Sequence, residues 1–191
     1  MDTQQLKKRA LELLEEHIAN KNLVKHNLAA GALMKALAAR FGEGERADLW
    51  EIAGLLHDLD WEKMQSEPEK HTELTANILR GEGFPEEVVE AIWRHNFYAD
   101  HAPPETPMQL ALYYGEEVTG LVVASALVLP SRKLADLSVE SVMKRFRQGA
   151  FARGVNRELL GKVPEKLGMP LEELAGIALR AMQGISEELG L

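Results

Sequence analysis

The chain has 191 residues, of which 46% are hydrophobic and 27% are charged, and these fractions are typical of one compact domain rather than a disordered chain. Acidic residues outnumber basic ones by 30 to 22, and the resulting net charge of −8 argues against binding to long nucleic acid or to an anionic membrane surface. The chain contains no cysteine, so disulfides and thiolate ligands are excluded and a cytoplasmic location is expected.

Apolar residues recur at spacings of three and four along almost the whole chain, whereas alternating, strand-like runs are scarce. The sequence therefore predicts an all-α fold. The first segment, "MDTQQLKKRALELLEEH", is a charged amphipathic helix without an apolar signal core, which argues against secretion. The predicted helices run over about 6–18, 23–37, 46–57, 71–79, 86–95 and 108–129, followed by shorter ones in "SVESVMKRF", "NRELLGKV" and "LEELAGIALRAMQGISEEL".

Loops are predicted between several of these helices. The segment "FGEGE" ends the second helix, "DLDWEKMQSEPEK" follows the third, and "YADHAPPETP" is a proline-rich connection after the fifth. The sixth helix contains the longest apolar run of the chain, over 110–130, and ends at Pro130. Glu116 and Glu117 would each cost roughly 2.5 kcal/mol in lipid, so this run is predicted to be a buried helix and not a membrane span.

Three histidines and two carboxylates fall on or beside the apolar faces of four predicted helices. They are His26, His57, Asp58, His95 and Glu116. A single histidine in such a position is more often a core residue bonded to the backbone than a metal ligand. Five such groups cannot each be charged and isolated, because an unpaired buried charge costs several kcal/mol, and one shared cation would resolve the problem for all of them. Nitrogen and oxygen ligands suit Fe, Mn, Co, Ni or Zn, and do not suit a calcium cage.

The order of these residues resembles the HD superfamily of metal-dependent phosphohydrolases: His26, then the His57-Asp58 pair, then an acidic residue on a long helix. The tail "SVMKRFRQGAFARGVNRELL" is also similar to the C-terminal part of uncharacterised bacterial HD proteins. The resemblance implies an HD-domain helical bundle with additional C-terminal helices. It further implies a single HD-type domain over 1–191, with the metal-binding core at about 20–130 and a C-terminal helical extension at about 131–191.

The resemblance also implies a ligand set for one or two divalent transition metal ions. Asp58 would bridge the two ions, and the other ligands would be His26, His57 and Glu116 for the first ion and His71 and His95 for the second. Glu116 departs from the family pattern, because the family has aspartate at this position. The extra methylene requires about an ångström more room or a shifted backbone, and Glu117 is a less favoured substitute because it points about 100° away on the same helix.

The activity that the resemblance implies is hydrolysis of a small phosphoester, such as a nucleotide, by a metal-activated hydroxide. Asp58 would be the bridging catalytic ligand, and with one metal bound His71 or His95 could donate a proton to the leaving group. Lys63 and Arg94 are the nearest cations in the sequence for binding the substrate phosphate, although a solvated surface position suits them equally well. A denser basic cluster could fold back over the cleft or form a solvated face; it comprises Lys144, Arg145, Arg147, Arg153 and Arg157.

The sequence is compatible with two other functions. Glu116 raises the alternative of a non-catalytic regulatory module that binds a metal or a nucleotide and retains the HD fold. A di-iron oxygenase is the second alternative, since some HD-like proteins use the same ligand set for oxygen chemistry. The substrate, the number and identity of the metals and the oligomeric state are not determined by the sequence.

Overall fold

The computed structural model describes residues 1–96, 99 and 101–191, and all regular structure in these residues is helical, which confirms the predicted all-α class. The predicted loop over 98–107 includes residues 98 and 100, which lie outside the described residues. The helices are α1 (Thr3–His17), α2 (Lys21–Arg40), α3 (Ala47–Leu56), α4 (Trp61–Met64), α5 (Glu73–Gly81), α6 (Glu86–Trp93), α7 (Pro107–Gly115), α8 (Glu117–Leu127), α9 (Val139–Phe146), α10 (Arg157–Gly161), α11 (Val163–Leu167), α12 (Leu171–Gln183) and α13 (Ser186–Leu189).

Several helices begin at side chains that satisfy the free amide groups of the first turn. Asp2 accepts a hydrogen bond from the Gln5 amide, and the Gln5 side chain accepts one from the Asp2 amide, which completes a capping box at the start of α1. Thr106 and Gln109 form the same arrangement at α7, whose first helical residue is a proline. The start of this helix, which leads to Glu116, is therefore specified locally by the sequence.

Three predicted helices differ from the structure. The sixth helix is not continuous, because α7 and α8 meet at Glu116, where the Thr119 amide bonds the Glu116 carbonyl at 2.8 Å in a three-residue turn. The fourth helix begins at Glu73 and not at His71, after the left-handed residue Thr72 with a φ of 76°. The last predicted helix ends at Gln183, and the short helix α13 follows it as a separate element.

Helices α2 and α3 cross in very close contact at two glycines. A Cβ atom at Gly54 would lie 2.6 Å from the Ala30 carbonyl oxygen, and one at Gly31 would lie 2.9 Å from Leu55 Cγ. Only residues without larger side chains allow the two backbones to approach this closely. The crossing fixes α2, which carries His26, against α3, which leads into the His57-Asp58 pair.

The core of buried apolar side chains extends from Leu6 in α1 to Leu189 in α13. Helix α12 packs against α2, α8 and α9, so the helices after 131 share this core with the helices before it. Across the described ranges, none of the helices combines the length and the apolar character needed to cross a membrane.

Candidate metal centre

All six predicted metal ligands lie together, although they come from separate parts of the fold. Their ligating atoms form three overlapping groups, and within each group the atoms lie within 4.8 Å of one another. His57, Asp58 and His95 each belong to two of the groups, so the cluster is continuous. The groups are His26 with His57 and Asp58, His57 with His95 and Glu116, and Asp58 with His71 and His95.

The separations at the centre of the cluster suit ligands of a common ion. His26 Nε2 lies 3.1 Å from His57 Nε2. It also lies 3.5 Å from Asp58 Oδ2 and 3.5 Å from Glu116 Oε2. The other oxygen of the aspartate, Asp58 Oδ1, lies 3.1 Å from His71 Nε2. Two ligands of one ion at metal-ligand distances near 2.1 Å are themselves about 3.0–3.4 Å apart, so these separations need little adjustment.

His57 is held in the tautomer that a metal ligand requires. Its Nδ1 donates a hydrogen bond to the Gly54 carbonyl at 2.8 Å, so Nε2 retains its lone pair and faces His26. The ring is completely buried, and this burial lowers the pKa of His57 to about 4 despite the opposing effect of Asp58. The imidazole is therefore neutral at physiological pH, as coordination requires.

His71 is oriented by Asp60, a residue that the sequence reasoning missed. Asp60 accepts hydrogen bonds from His71 Nδ1 at 2.7 Å and from the amides of Thr72 and Thr75 at 3.1 and 3.0 Å. The carboxylate therefore fixes the His71 ring and also satisfies the first turn of α5. Burial lowers the pKa of His71, but the hydrogen bonds and charges of Asp58 and Asp60 outweigh it and raise this pKa to about 9. The signal in the sequence is the second acid of "HDLD", two residues after Asp58.

We expect Asp60→Asn to weaken metal binding about 10- to 100-fold, because an amide orients the His71 ring less strongly and makes its Nε2 less basic. The affinity of the purified, metal-free protein for Mn²⁺ can be measured by titration. Glu69→Gln likewise replaces a carboxylate by an amide, on the exposed turn before His71. This control should leave the affinity for Mn²⁺ unchanged. Equal affinities in the Asp60 variant and the wild type would contradict the orienting role.

Glu116 is buried in the cluster and its carboxylate is incompletely satisfied. The residue is 5% exposed, its Oε1 lies 3.9 Å from His95 Nε2, and its Oε2 has no hydrogen-bond partner among the described residues. Burial, followed by the charges of Glu117 and Asp58, raises the pKa of Glu116 well above its usual value. The Nδ1 of His95 is also buried, and the part of the chain that the structure describes offers it no hydrogen-bond partner. Nitrogen and oxygen donors in this arrangement fit a divalent transition metal, which would stabilise the ionised form of Glu116.

Glu117 faces the same cavity but has a structural partner. Its Oε2 accepts a hydrogen bond from the Asn156 amide at 3.0 Å, and it belongs to none of the three candidate ligand groups. This agrees with the sequence-based preference for Glu116. The bond also ties the junction of α7 and α8 to the loop before α10.

The two predicted substrate-binding cations do not line the cavity that contains the cluster. Lys63 Nζ lies 3.2 Å from His17 Nδ1, at the end of α1. Arg94 donates to the Pro103 carbonyl at 2.6 Å and pairs with Glu90 at 3.4 Å. Their role in substrate binding stays a prediction without a supporting contact. The cavity measures about 230 Å³ and is lined by His26, Asp58, Trp61, His71, His95, Glu116, Glu117 and Gly154.

The basic cluster of the C-terminal region includes an arginine with a structural role. The Arg157 guanidinium donates to four backbone carbonyls, those of Phe146, Gln148, Phe151 and Ala152. These bonds hold the loop over 147–156 in place, and Gly154 of this loop forms part of the cavity wall. The loop therefore does fold back over the site, while Arg157 itself serves to shape it.

The comparison with known families agrees with this geometry. The family model for the HD domain matches residues 23–128, which is more than half of the chain, and the matched segment contains all six candidate ligands. No curated protein and no solved structure matches the chain. The matched segment ends just after α8, so the loop over 147–156 and helices α9 to α13 lie outside it.

Proposed function

Because the chain belongs to the HD domain family, whose members are mostly metal-dependent phosphohydrolases, we propose that it hydrolyses a small phosphoester using one or two divalent transition metal ions. In this reaction a water oxygen forms a new bond to phosphorus as the bond from phosphorus to the leaving oxygen breaks. One proton of the water ends on the leaving oxygen, so a monoester gives an alcohol and inorganic phosphate, and a diester gives an alcohol and a phosphate monoester. A nucleotide is one substrate of this kind.

The observation that carries the proposal is the position of Asp58 between two sets of histidines. Its Oδ2 lies 3.5 Å from His26 and 3.6 Å from His57, whereas its Oδ1 lies 3.1 Å from His71. A carboxylate placed in this way supports a bridging role between two ions. When bound, such ions lower the pKa of water and neutralise charge on the phosphate.

The remaining ligands divide between the two sides of Asp58. His26 and His57 lie towards Oδ2, with Glu116 beside His26, and His71 lies towards Oδ1, whereas His95 belongs to a candidate group on each side. With one ion bound, the imidazole of His71 or His95 remains free to pass a proton to the leaving oxygen. Their burial in the cavity also excludes bulk water from competing for that proton.

The proposal is tested by assaying the Mn²⁺- and Co²⁺-loaded protein for release of phosphate from phosphomonoesters and nucleotides, and for release of the alcohol from phosphodiesters. Glu116→Gln removes an anionic ligand and should lower both metal content and turnover about 10- to 100-fold or more. Glu116→Asp restores the residue type of the family and should retain both. Glu158→Gln is a matched control, because Glu158 is exposed and pairs only with Lys162 at 2.9 Å among the described residues.

Two results would contradict hydrolysis and support the alternatives. Tight metal binding without turnover of any substrate, unchanged by Glu116→Asp, would indicate a regulatory module. Oxygen consumption by the iron-loaded protein, without release of phosphate, would indicate an oxygenase.

A further inference from the structure

Three cavities have His26 in their lining. The first is the cavity of the metal centre. The second measures about 320 Å³ and shares His26, Glu117 and Gly154 with the first. The third measures about 430 Å³, lies between α2 and α8, and shares His26 and Gly120 with the second. The shared residues mark the route by which a ligand would extend from the metal ligands, past His26 and Gly120, into the third cavity, which we call the side pocket.

The side pocket has mainly apolar walls. These come from Ala29 on α2 and from Val123, Ala124 and Leu127 on α8. Leu127 is 49% exposed at the edge of the pocket, so its side chain offers apolar surface to a ligand there. An uncharged organic group would cover this surface and release water from it.

Polar groups in the pocket are few. Among the described residues of the lining, Lys25 is the one lysine or arginine, Asn22 adds an amide, and the completely buried Thr119 has a hydroxyl oxygen without a hydrogen-bond partner. The Glu117 carboxylate lies along the route from the metal centre. A polyphosphate would bring several negative charges past this acidic group to one lysine, so the charges disfavour a nucleoside triphosphate. A single hydroxyl or ether oxygen, by contrast, would satisfy Thr119.

We infer that the substrate is a phosphate monoester with a largely apolar, uncharged leaving group, which occupies the side pocket while the phosphate contacts the metal centre. This inference rests on the proposed hydrolysis and specifies its substrate class. The pocket volume lies within the range of small-molecule sites and has room for an organic group of roughly ten non-hydrogen atoms.

Gly120 lies on this route, because it lines both the second cavity and the side pocket. A Cβ atom there would lie 3.4 Å from Val155 Cγ2, and no other atom lies within 4 Å of that position. The glycine is in the interior of α8 and its φ is not positive, so the backbone tolerates a larger residue. A leucine at this position would fill the space between Gly120 and Val155 and separate the side pocket from the metal centre.

The test uses methyl, butyl and hexyl phosphate, whose leaving alcohols have closely similar acidity, with the Mn²⁺-loaded protein. We expect kcat/KM to rise about fourfold for each methylene that enters the pocket. Gly120→Leu should reduce the hexyl-to-methyl ratio of kcat/KM at least tenfold. Leu127→Asp, at the exposed edge where folding is little affected, should reduce this ratio about threefold or more. Gly81→Leu is the matched control, since a Cβ at Gly81 meets no atom within 4 Å and Gly81 lines none of these cavities.

Binding of the non-hydrolysable methyl- and hexylphosphonates, measured by calorimetry, separates this inference from the proposed function. Phosphate release that is independent of chain length would overturn the inference and leave hydrolysis standing. A different outcome is that no ester is hydrolysed, but hexylphosphonate binds more tightly than methylphosphonate and Leu127→Asp removes the difference. That result would support the side pocket and contradict the proposed hydrolysis. Equal binding of the two phosphonates would overturn the inference.

Discussion

Asp58→Ala should remove nearly all bound metal and lower phosphate release by at least about three orders of magnitude, the largest effect on activity that we expect from any single substitution. Asp58 supplies an oxygen to both sides of the cluster, so its loss removes one ligand from each ion. Elemental analysis after gel filtration should give one or two equivalents of metal in the wild type and below about a tenth of that in the variant.

Two controls separate loss of the ligand from loss of the fold. Asp48→Ala makes the same substitution in the first turn of α3. The Asp48 carboxylate is exposed and pairs with Lys35 at 3.0 Å, so this variant should retain the metal. Circular dichroism of Asp58→Ala should show the helical content of the wild type, because the core around α3 is apolar and does not involve this carboxylate. Full retention of metal by Asp58→Ala would rule out the bridging role.

The helical class and the inward faces of the histidines follow from local spacing, which is why the sequence predicts them. His26, His57 and His95 occur at helical intervals from apolar residues, and the 3.6-residue period alone places them towards the core. The family resemblance adds His71 and the pairing with Glu116. The structure brings these residues together at one place in the core.

Features that depend on contacts between distant segments could not be predicted in this way. The break between α7 and α8 at Glu116 lies in a run whose composition favours a continuous helix. Asp60 orients His71 because the turn before α5 packs on the residue that precedes α4, a contact between positions 11 residues apart that no periodicity encodes. Proximity in sequence does not specify where a cation points: Lys63 follows Asp58 closely, and its side chain is directed at His17 in α1.

The C-terminal extension contributes to the site without supplying a candidate ligand. All six candidate ligands lie within 26–116, whereas Gly154 and Val155, from a loop held by Arg157, complete the walls around His26. Asn156 additionally fixes Glu117 through its amide. The family core therefore holds the candidate metal ligands, and the extension limits the space through which a substrate reaches them.

Gly54→Ala should produce the largest loss of stability among single methyl additions in this chain. The new Cβ would lie 2.6 Å from the Ala30 carbonyl oxygen and 2.7 Å from the Gly31 nitrogen, and both are backbone atoms of α2. Rotation of a side chain cannot relieve these contacts, so α2 and α3 would have to separate along their crossing. We expect a cost of about 3 kcal/mol or more and a fall in Tm of about 10 °C, measured by thermal unfolding.

The same substitution should also weaken metal binding, because the Gly54 carbonyl fixes the His57 tautomer and the two helices carry His26 and His57. Gly81→Ala is the control: its Cβ would meet no atom within 4 Å, and alanine at the end of α5 should be neutral or stabilise the protein by up to about 1 kcal/mol. A Tm for Gly54→Ala within about 2 °C of the wild type would show that the helices can separate at little cost. In that case the close crossing would not be what positions His26 against His57.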